Sequence, residues 1–424
     1  MRVKPGYKKT EVGVIPDDWD VKRIGDLGNV VRGGSPRPAG DPRYFNGSFI
    51  PWLTVAALTN VPDSQIPISD TLGHLTEQGA SQSRTLDEGT VIIANSGATL
   101  GVAKVLGVRC CANDGIAAII NQRLGNKEFV CQYINTQTKY LRDVVAPGNG
   151  QPNLNTTLIR EIPLPFPSTG EQGAIAGALG DVDALITALD RLVAKKRDLK
   201  QAAMQQLLSG QTRLPGFTKE WEVKRLEDVF RFLNTANSPR SDLSEFGEVG
   251  YIHYGDVHTT RSAFLDCSEG ALPFILQSKV ANVPFVEDGD VVMVDASEDC
   301  VGIGKCVEIL GTQGRRVVAG LHTLLMRSDK EGIARGFGGY LQFSGSVRTA
   351  MVKLATGISV FGISKGSVRT IEVSLPPVAE QTAIAAVLSD MDAEIAALEQ
   401  RLAKTRALKQ GMMQELLTGR TRLV

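Results

Sequence analysis

Few residues of this chain are typed and spaced for chemistry, and their spacing argues against catalysis. The four histidines, His74, His253, His258 and His322, show no metal-ligand spacing. The six cysteines (Cys110, Cys111, Cys131, Cys267, Cys300, Cys306) include no C-x-x-C pair, so they read as plain buried thiols rather than a zinc cage or disulfide framework. Gly302-Ile303-Gly304-Lys305 is too short for a phosphate-binding loop and sits between strands. Leu375-Pro376-Pro377-Val378 lacks the polar first and aromatic last residues of an amino-methyltransferase motif, and reads as a turn that starts a helix. Trp221-Glu222-Val223-Lys224 contains an E-x-K but no separate aspartate to hold magnesium with it, so it reads as strand. No serine or cysteine nucleophile motif is recognisable. The reading is a binding protein with no catalytic residue, no metal and no cofactor of its own.

Composition sets the frame for that binder. A chain of 424 residues holds two or three domains, and 42% apolar with 22% charged residues is ordinary for a globular protein. No apolar stretch approaches the ~18 residues of a membrane span, and the basic start Met1–Lys9 has no apolar segment behind it, so the expectation is a cytoplasmic protein without membrane contact. Lys and Arg balance Asp and Glu at 46 each. Binding to nucleic acid would then require charge clustered on one face.

The elements that position any site repeat. Residues 171–214 recur at 380–423 with a constant offset of 209 (380 − 171) and more than half of the positions identical. Ile175, Leu179, Val182, Ile186, Leu189 and Val193 step alternately by 4 and 3. Ile384, Leu388, Met391, Ile395, Leu398 and Leu402 do the same. That is a heptad seam, which buries one stripe against a partner helix. Ser168 and Glu171 have capping-box spacing, and Gly210 and Gly419 stand where C-terminal caps belong. The economical arrangement is the two copies packed on each other as an antiparallel coiled coil, of rods near 60 Å at ~1.5 Å per residue.

The segments between the helices repeat as well. Trp19-Asp20-Val21-Lys22 returns as Trp221-Glu222-Val223-Lys224, and Val91-Ile92-Ile93 matches Val291-Val292-Met293. Unlike polar loops follow, Asn95–Thr99 and Ala296–Cys300, and then Gly101…Lys104 and Gly302…Lys305. Pro215-Gly216-Phe217 has its counterpart at the N-terminus, Pro5-Gly6-Tyr7. The chain is a circle of two repeats cut once, and its ends are expected close together. The expected fold is α/β (α+β) with pseudo-twofold circular repetition. Globular domains occupy 1–167 and 215–375, and helices 168–214 and 376–424.

With these pieces in order, the chain resembles the specificity subunit of a type I restriction–modification system over essentially its whole length. The likeness rests on the Trp-[Asp/Glu]-Val starts and on Gly34-Ser35-Pro36 followed by Tyr44-Phe45-Asn46-Gly47 and Ile50-Pro51-Trp52. It rests also on Leu-Pro-x-Pro at 164–167, Pro-Pro-x-x-Glu-Gln at 376–381 and the repeated Leu-Leu-(Ser/Thr)-Gly-x-Thr-Arg-Leu endings. The second unit departs, with Asn237-Ser238-Pro239-Arg240 and Tyr251–Asp256 in place of these forms.

The resemblance implies two target recognition domains, each reading one half of a split double-stranded DNA site, held apart by an antiparallel helical spacer. It implies no active site here. Two methyltransferase subunits bind S-adenosylmethionine, and two restriction subunits that translocate DNA with ATP and magnesium can join them. The residues placed to read DNA are Arg32, Ser35, Arg37, Thr54, Asn60, Asn95, Ser96 and Thr99 in the first unit. In the second they are Arg240, His253, His258, Thr259, Arg261, Ser297 and Glu298. An assembly adaptor that binds no DNA is the competing reading, favoured by the neutral net charge.

Overall fold

Continuous apolar runs make the central strands, because a strand covered on both faces has no polar side to show. The computed structural model describes residues 4–69, 71–97, 99–146, 153–260, 262–268, 272–328 and 332–423. The chain divides into two units, Met1–Leu192 with Glu399–Val424, and Val193–Leu398. Val91–Ala94, buried at every position, lies at the centre of the first unit's five-stranded sheet. The order is Asn29–Arg32, Ile116–Ile120, Val91–Ala94, Ala103–Leu106, Pro67–Ile68, antiparallel except for the last, parallel pair. Phe230–Leu233, Thr323–Ser328, Val291–Val294, Cys306–Leu310 and Phe264–Asp266 repeat that order and those senses in the second unit.

A second sheet in each unit is built on a parallel pair, Phe45–Leu53 with Cys110–Ala112 and Val249–Ile252 with Arg316–Ala319. The expected early strands form too: Asp20–Arg23 pairs with Pro163–Phe166, and Glu222–Arg225 with Glu372–Leu375. The E-x-K segment is thus an edge strand, with Glu222 and Lys224 paired to each other at 3.1 Å.

Two 39-residue helices, Thr169–Leu207 and Val378–Leu416, follow the globular parts. Ser168 caps the first, its Oγ accepting from Glu171 N at 3.2 Å. The Glu171 side chain does not return the bond, so half of the expected capping box is absent. Beyond the helix ends, Gly210 and Gly419 have φ near +70° (+71° and +69°), the left-handed turn anticipated there.

In the first unit Glu171, Asp183 and Asp190 meet Arg422, Lys409 and Arg406 in turn. The second unit pairs Lys196, Lys200 and Arg213 with Glu394, Asp392 and Glu380. Numbers rise on one helix as they fall on the other, so the pairing is antiparallel in each unit. The seam is buried at Ile175, Leu179, Ile186, Leu189, Val193, Ile384, Leu388, Ile395 and Leu402, and half-buried at Val182, Met391 and Leu398.

The helices are not free-standing rods. Ile175 and Leu179 share the core of Trp19, Phe129 and Leu164 with Met413, Leu416 and Leu417. Ile384 and Leu388 likewise join Leu226, Val291 and Met204. Each fully buried Ile or Leu contributes about 1.5–3 kcal/mol.

One clamp appears twice. Glu171, 1% exposed, accepts from Trp19 Nε1 at 2.9 Å and from the Arg422 fork, and that arginine also grips Asp18. Glu380, 0% exposed, accepts from Arg213 at 2.5 and 2.6 Å and from Trp221 Nε1 at 3.3 Å. Gln172 and Gln381 beside them donate to Pro167 O and Pro376 O and accept from Asn126 N and Ala334 N. Each unit is therefore completed by the end of the helix whose globular part belongs to the other. Tyr7 Oη donates to Gly419 O at 3.1 Å, so the two ends of the chain meet as expected.

Candidate nucleic-acid interface

The same sheet edge carries the polar loops in both units. Asn95, just past the central strand, donates its N–H to Gly115 O, and its carbonyl accepts from Leu154 N. Asp295 makes the equivalent bonds with His322 O and Ile363 N. A short helix follows the second-sheet strand beside this edge, Val55–Thr59 or Tyr254–Thr259. A lysine braces each, buried in the case of Lys104 and half-buried in that of Lys305. Lys104 Nζ donates to Pro62 O and Gln65 O at 2.8 and 2.6 Å, and Lys305 Nζ to His258 O and Thr260 O at 2.6 Å. Burial pushes both ammonium pKa values below the ordinary lysine range.

In the first unit the edge is organised by Asp114. Its Oδ1 accepts from Ser35 Oγ at 2.7 Å, and its Oδ2 lies 3.8 Å from Arg37, whose side chain is 82% exposed. Its backbone carbonyl accepts from Arg32 Nε at 2.5 Å and from Asn95 Nδ2 at 3.2 Å. Gly33 makes this convergence possible, since a Cβ there would stand 2.1 Å from Asn113 O.

In the second unit the edge is aromatic and imidazole-rich. The Tyr254 ring lies 4.3 Å from His253, and meets His258 and His322 edge-on at 6.0 and 5.7 Å. His322, at φ +58°, has Nδ1 3.2 Å from Asp295 Oδ1, and His258 Nε2 is 3.1 Å from Ala296 O. Burial lowers the His253 pKa and raises that of Asp256, whose carboxylate accepts from His253 N at 2.8 Å.

The comparisons with known proteins agree with one another. A family described as the type I restriction modification DNA specificity domain matches residues 16–196. A specificity subunit of the type I restriction enzyme MjaIX of Methanocaldococcus jannaschii is 29% identical over 57% of this chain, and the match spans 59% of that relative's length. The EcoKI specificity subunit of Escherichia coli is 21% identical over 96% of this chain and 89% of its own. A type I S subunit of M. genitalium shares the fold at TM-score 0.58 and 13% identity, covering 98% of both chains. A structure from work on assembly and conformational transition of a type I system gives 0.56 at 14% identity, covering 96% of this chain and 99% of its own. Residues 16–196 thus match the family of type I DNA specificity domains, and the whole chain is similar to type I specificity subunits.

In this chain Arg32, Ser35, Arg37 and Asn95 come together on Asp114, a residue that sequence reasoning missed. Ser96 bridges to Asn153, and Thr54 and Asn60 flank the short helix as its caps. Asn95, His253 and Ser297 are buried and support the edge from beneath. Asn95 Oδ1 and Thr99 Oγ1 are buried with no hydrogen-bond partner among the described residues.

Glu298 and Arg240 are exposed. Thr259 turns its hydroxyl back to Gly255 O. Arg261 lies outside the described residues. Tyr254, central to the second edge, was not singled out, because a lone tyrosine carries no spacing signal. Of the six cysteines, none disulfide-bonded, only Cys300 is not fully buried. Among the described residues no His, Cys, Asp and Glu group could hold a metal ion, and no helix is long and apolar enough to cross a membrane.

Proposed function

We propose that this specificity subunit reads a split double-stranded DNA site, one half with each unit, and recruits two methyltransferase subunits and, where present, two restriction–translocation subunits. One observation carries the reading: two units with the same strand order, clamp and bracing lysine present different chemistry at the same edge, a guanidinium–carboxylate cluster in one and a tyrosine among histidines in the other. A shared frame with unlike loops suits two readers of unlike sequence. The target recognition domains are 1–167 and 215–375, and the helices at 168–214 and 376–424 act as spacer. Methyl transfer, ATP use and magnesium chemistry belong to the partner subunits, which hold S-adenosylmethionine, ATP and the metal. Base contacts supply sequence choice, and phosphate contacts supply register.

The test is replacement of 215–375 with the corresponding segment of a relative, followed by methylome sequencing with the methyltransferase partner. One half-site should change and the other persist. A change in both halves defeats the proposal. So does a salt slope for mixed DNA that is the same for the methyltransferase partner with and without this chain, the behaviour of an adaptor that touches only protein.

A further inference from the structure

The chemistry left facing outward at the first unit's edge is narrower than the sequence suggested. Asn95 has an amide suited to adenine, but it is buried and donates to Asp114 O. The Asp114 carboxylate is suited to the cytosine amino group, but Ser35 donates to Oδ1 and Arg37 stands by Oδ2. In the Asp114 cluster the groups left exposed are two guanidiniums. Arg37 is 82% exposed. Arg32 is tied to the Asp114 carbonyl through Nε only, with Nη1 and Nη2 making no bond to a described residue. Arg37 Nη2 lies 3.8 Å from Asp114 Oδ2, an ion pair without a hydrogen bond, which biases the guanidinium toward this edge and leaves its N–H groups available as a fork. That fork matches the paired O6 and N7 acceptors of guanine in the major groove.

We infer that the half-site read by the first unit contains a guanine recognised by Arg37, with Asp114 as its positioning residue and Arg32 beside it. This rests on the split-site reading above. The alternative role for an exposed arginine is a phosphate contact, and lysine separates the two: it keeps the charge that a phosphate needs and loses the planar fork.

The experiment is selection from a randomised duplex library by the chain assembled with its methyltransferase subunits, comparing wild type, R37K, R37A and D114N. Wild type should enrich a split motif with an invariant guanine in one half. R37A and R37K should both relax that position by about 5- to 150-fold, the range of one bidentate pair, and leave the other half-site unchanged. D114N keeps an acceptor for Ser35 and should relax the same position by less. A split motif with no guanine in either half overturns the inference alone. So does an R37K variant that retains the choice, or an R37A variant that weakens every sequence equally. Absence of any split motif from the wild type defeats the function proposed above, and the inference with it.

Discussion

Truncating Arg422 to alanine tests how the first unit is closed. Glu171 is 1% exposed and accepts from Arg422 through both oxygens, with Trp19 Nε1 as its remaining partner. Removing the guanidinium leaves a nearly dry carboxylate without a counter-charge, for which about 3–5 kcal/mol is typical. The arm to Asp18 adds little, because that carboxylate is 64% exposed and such pairs are worth roughly 0–1 kcal/mol. Arg422 itself is 32% exposed, so water recovers part of the loss and about 3 kcal/mol is the figure to expect. That corresponds to roughly 150-fold in a local opening equilibrium.

Native-state hydrogen exchange reads it by segment. Amides of Asp20–Leu27 and Ile175–Leu179 should lose about 150-fold protection, while Leu226–Phe230 and Ile384–Leu388 keep theirs. Adding E171Q should restore most of the loss, because a neutral amide tolerates that pocket without a cation. Loss below about tenfold, equal loss in both units, or strict additivity of the two substitutions would refute the argument.

Arg213→Ala should mirror this in the second unit, with exchange rising around Trp221 and Leu226 and not around Trp19, since Glu380 is fully buried. Lys104→Met removes the donor to Pro62 O and Gln65 O and should cost about 1–3 kcal/mol in denaturant unfolding of the first unit. Lys104 also gives a pH signature. Its folded pKa lies below the unfolded 10.5, so the unfolded chain holds more protons between those two values. Stability from this residue therefore rises with pH across that window and is flat below it, and K104M should abolish the rise. Excising 186–192 together with 400–406 removes the Asp190–Arg406 pair as a unit and spares Asp183–Lys409. If the helices set the spacing, it should shorten by about 10 Å, or about three base pairs, or methylation should be lost. Wild-type spacing in the methylome would show that the partners set it.

Much of the frame was legible because it is written locally. Residues three and four apart on a helix are neighbours wherever the helix lies, so the seam from Ile175 to Val193 and its copy could be read directly. Runs such as Val91-Ile92-Ile93 become central strands because no polar face is left over. The copying of 171–214 into 380–423 announced two equivalent units, and the shared Pro-Gly-aromatic the meeting of the chain ends, which Tyr7 and Gly419 now make.

The polar site was legible only in outline. Loops were identified by composition, but composition does not say which of their side chains faces outward. Asn95, His253 and Ser297 have suitable groups and are turned inward. Asp114 looked like one carboxylate among many. It becomes a hub because Gly33 lets two backbones pass in contact and brings Ser35 and Arg37 from 79 and 77 residues away (114 − 35 and 114 − 37). The clamp partners are more distant still. That Glu171 would take Arg422 and Glu380 would take Arg213 follows from antiparallel pairing within each unit, a choice made by burial of the whole seam. Short-range periodicity determined the elements of this protein. Only the tertiary structure decided which buried carboxylate meets which arginine and which loop groups face the solvent, because those choices depend on desolvation and close approach between segments remote in the chain.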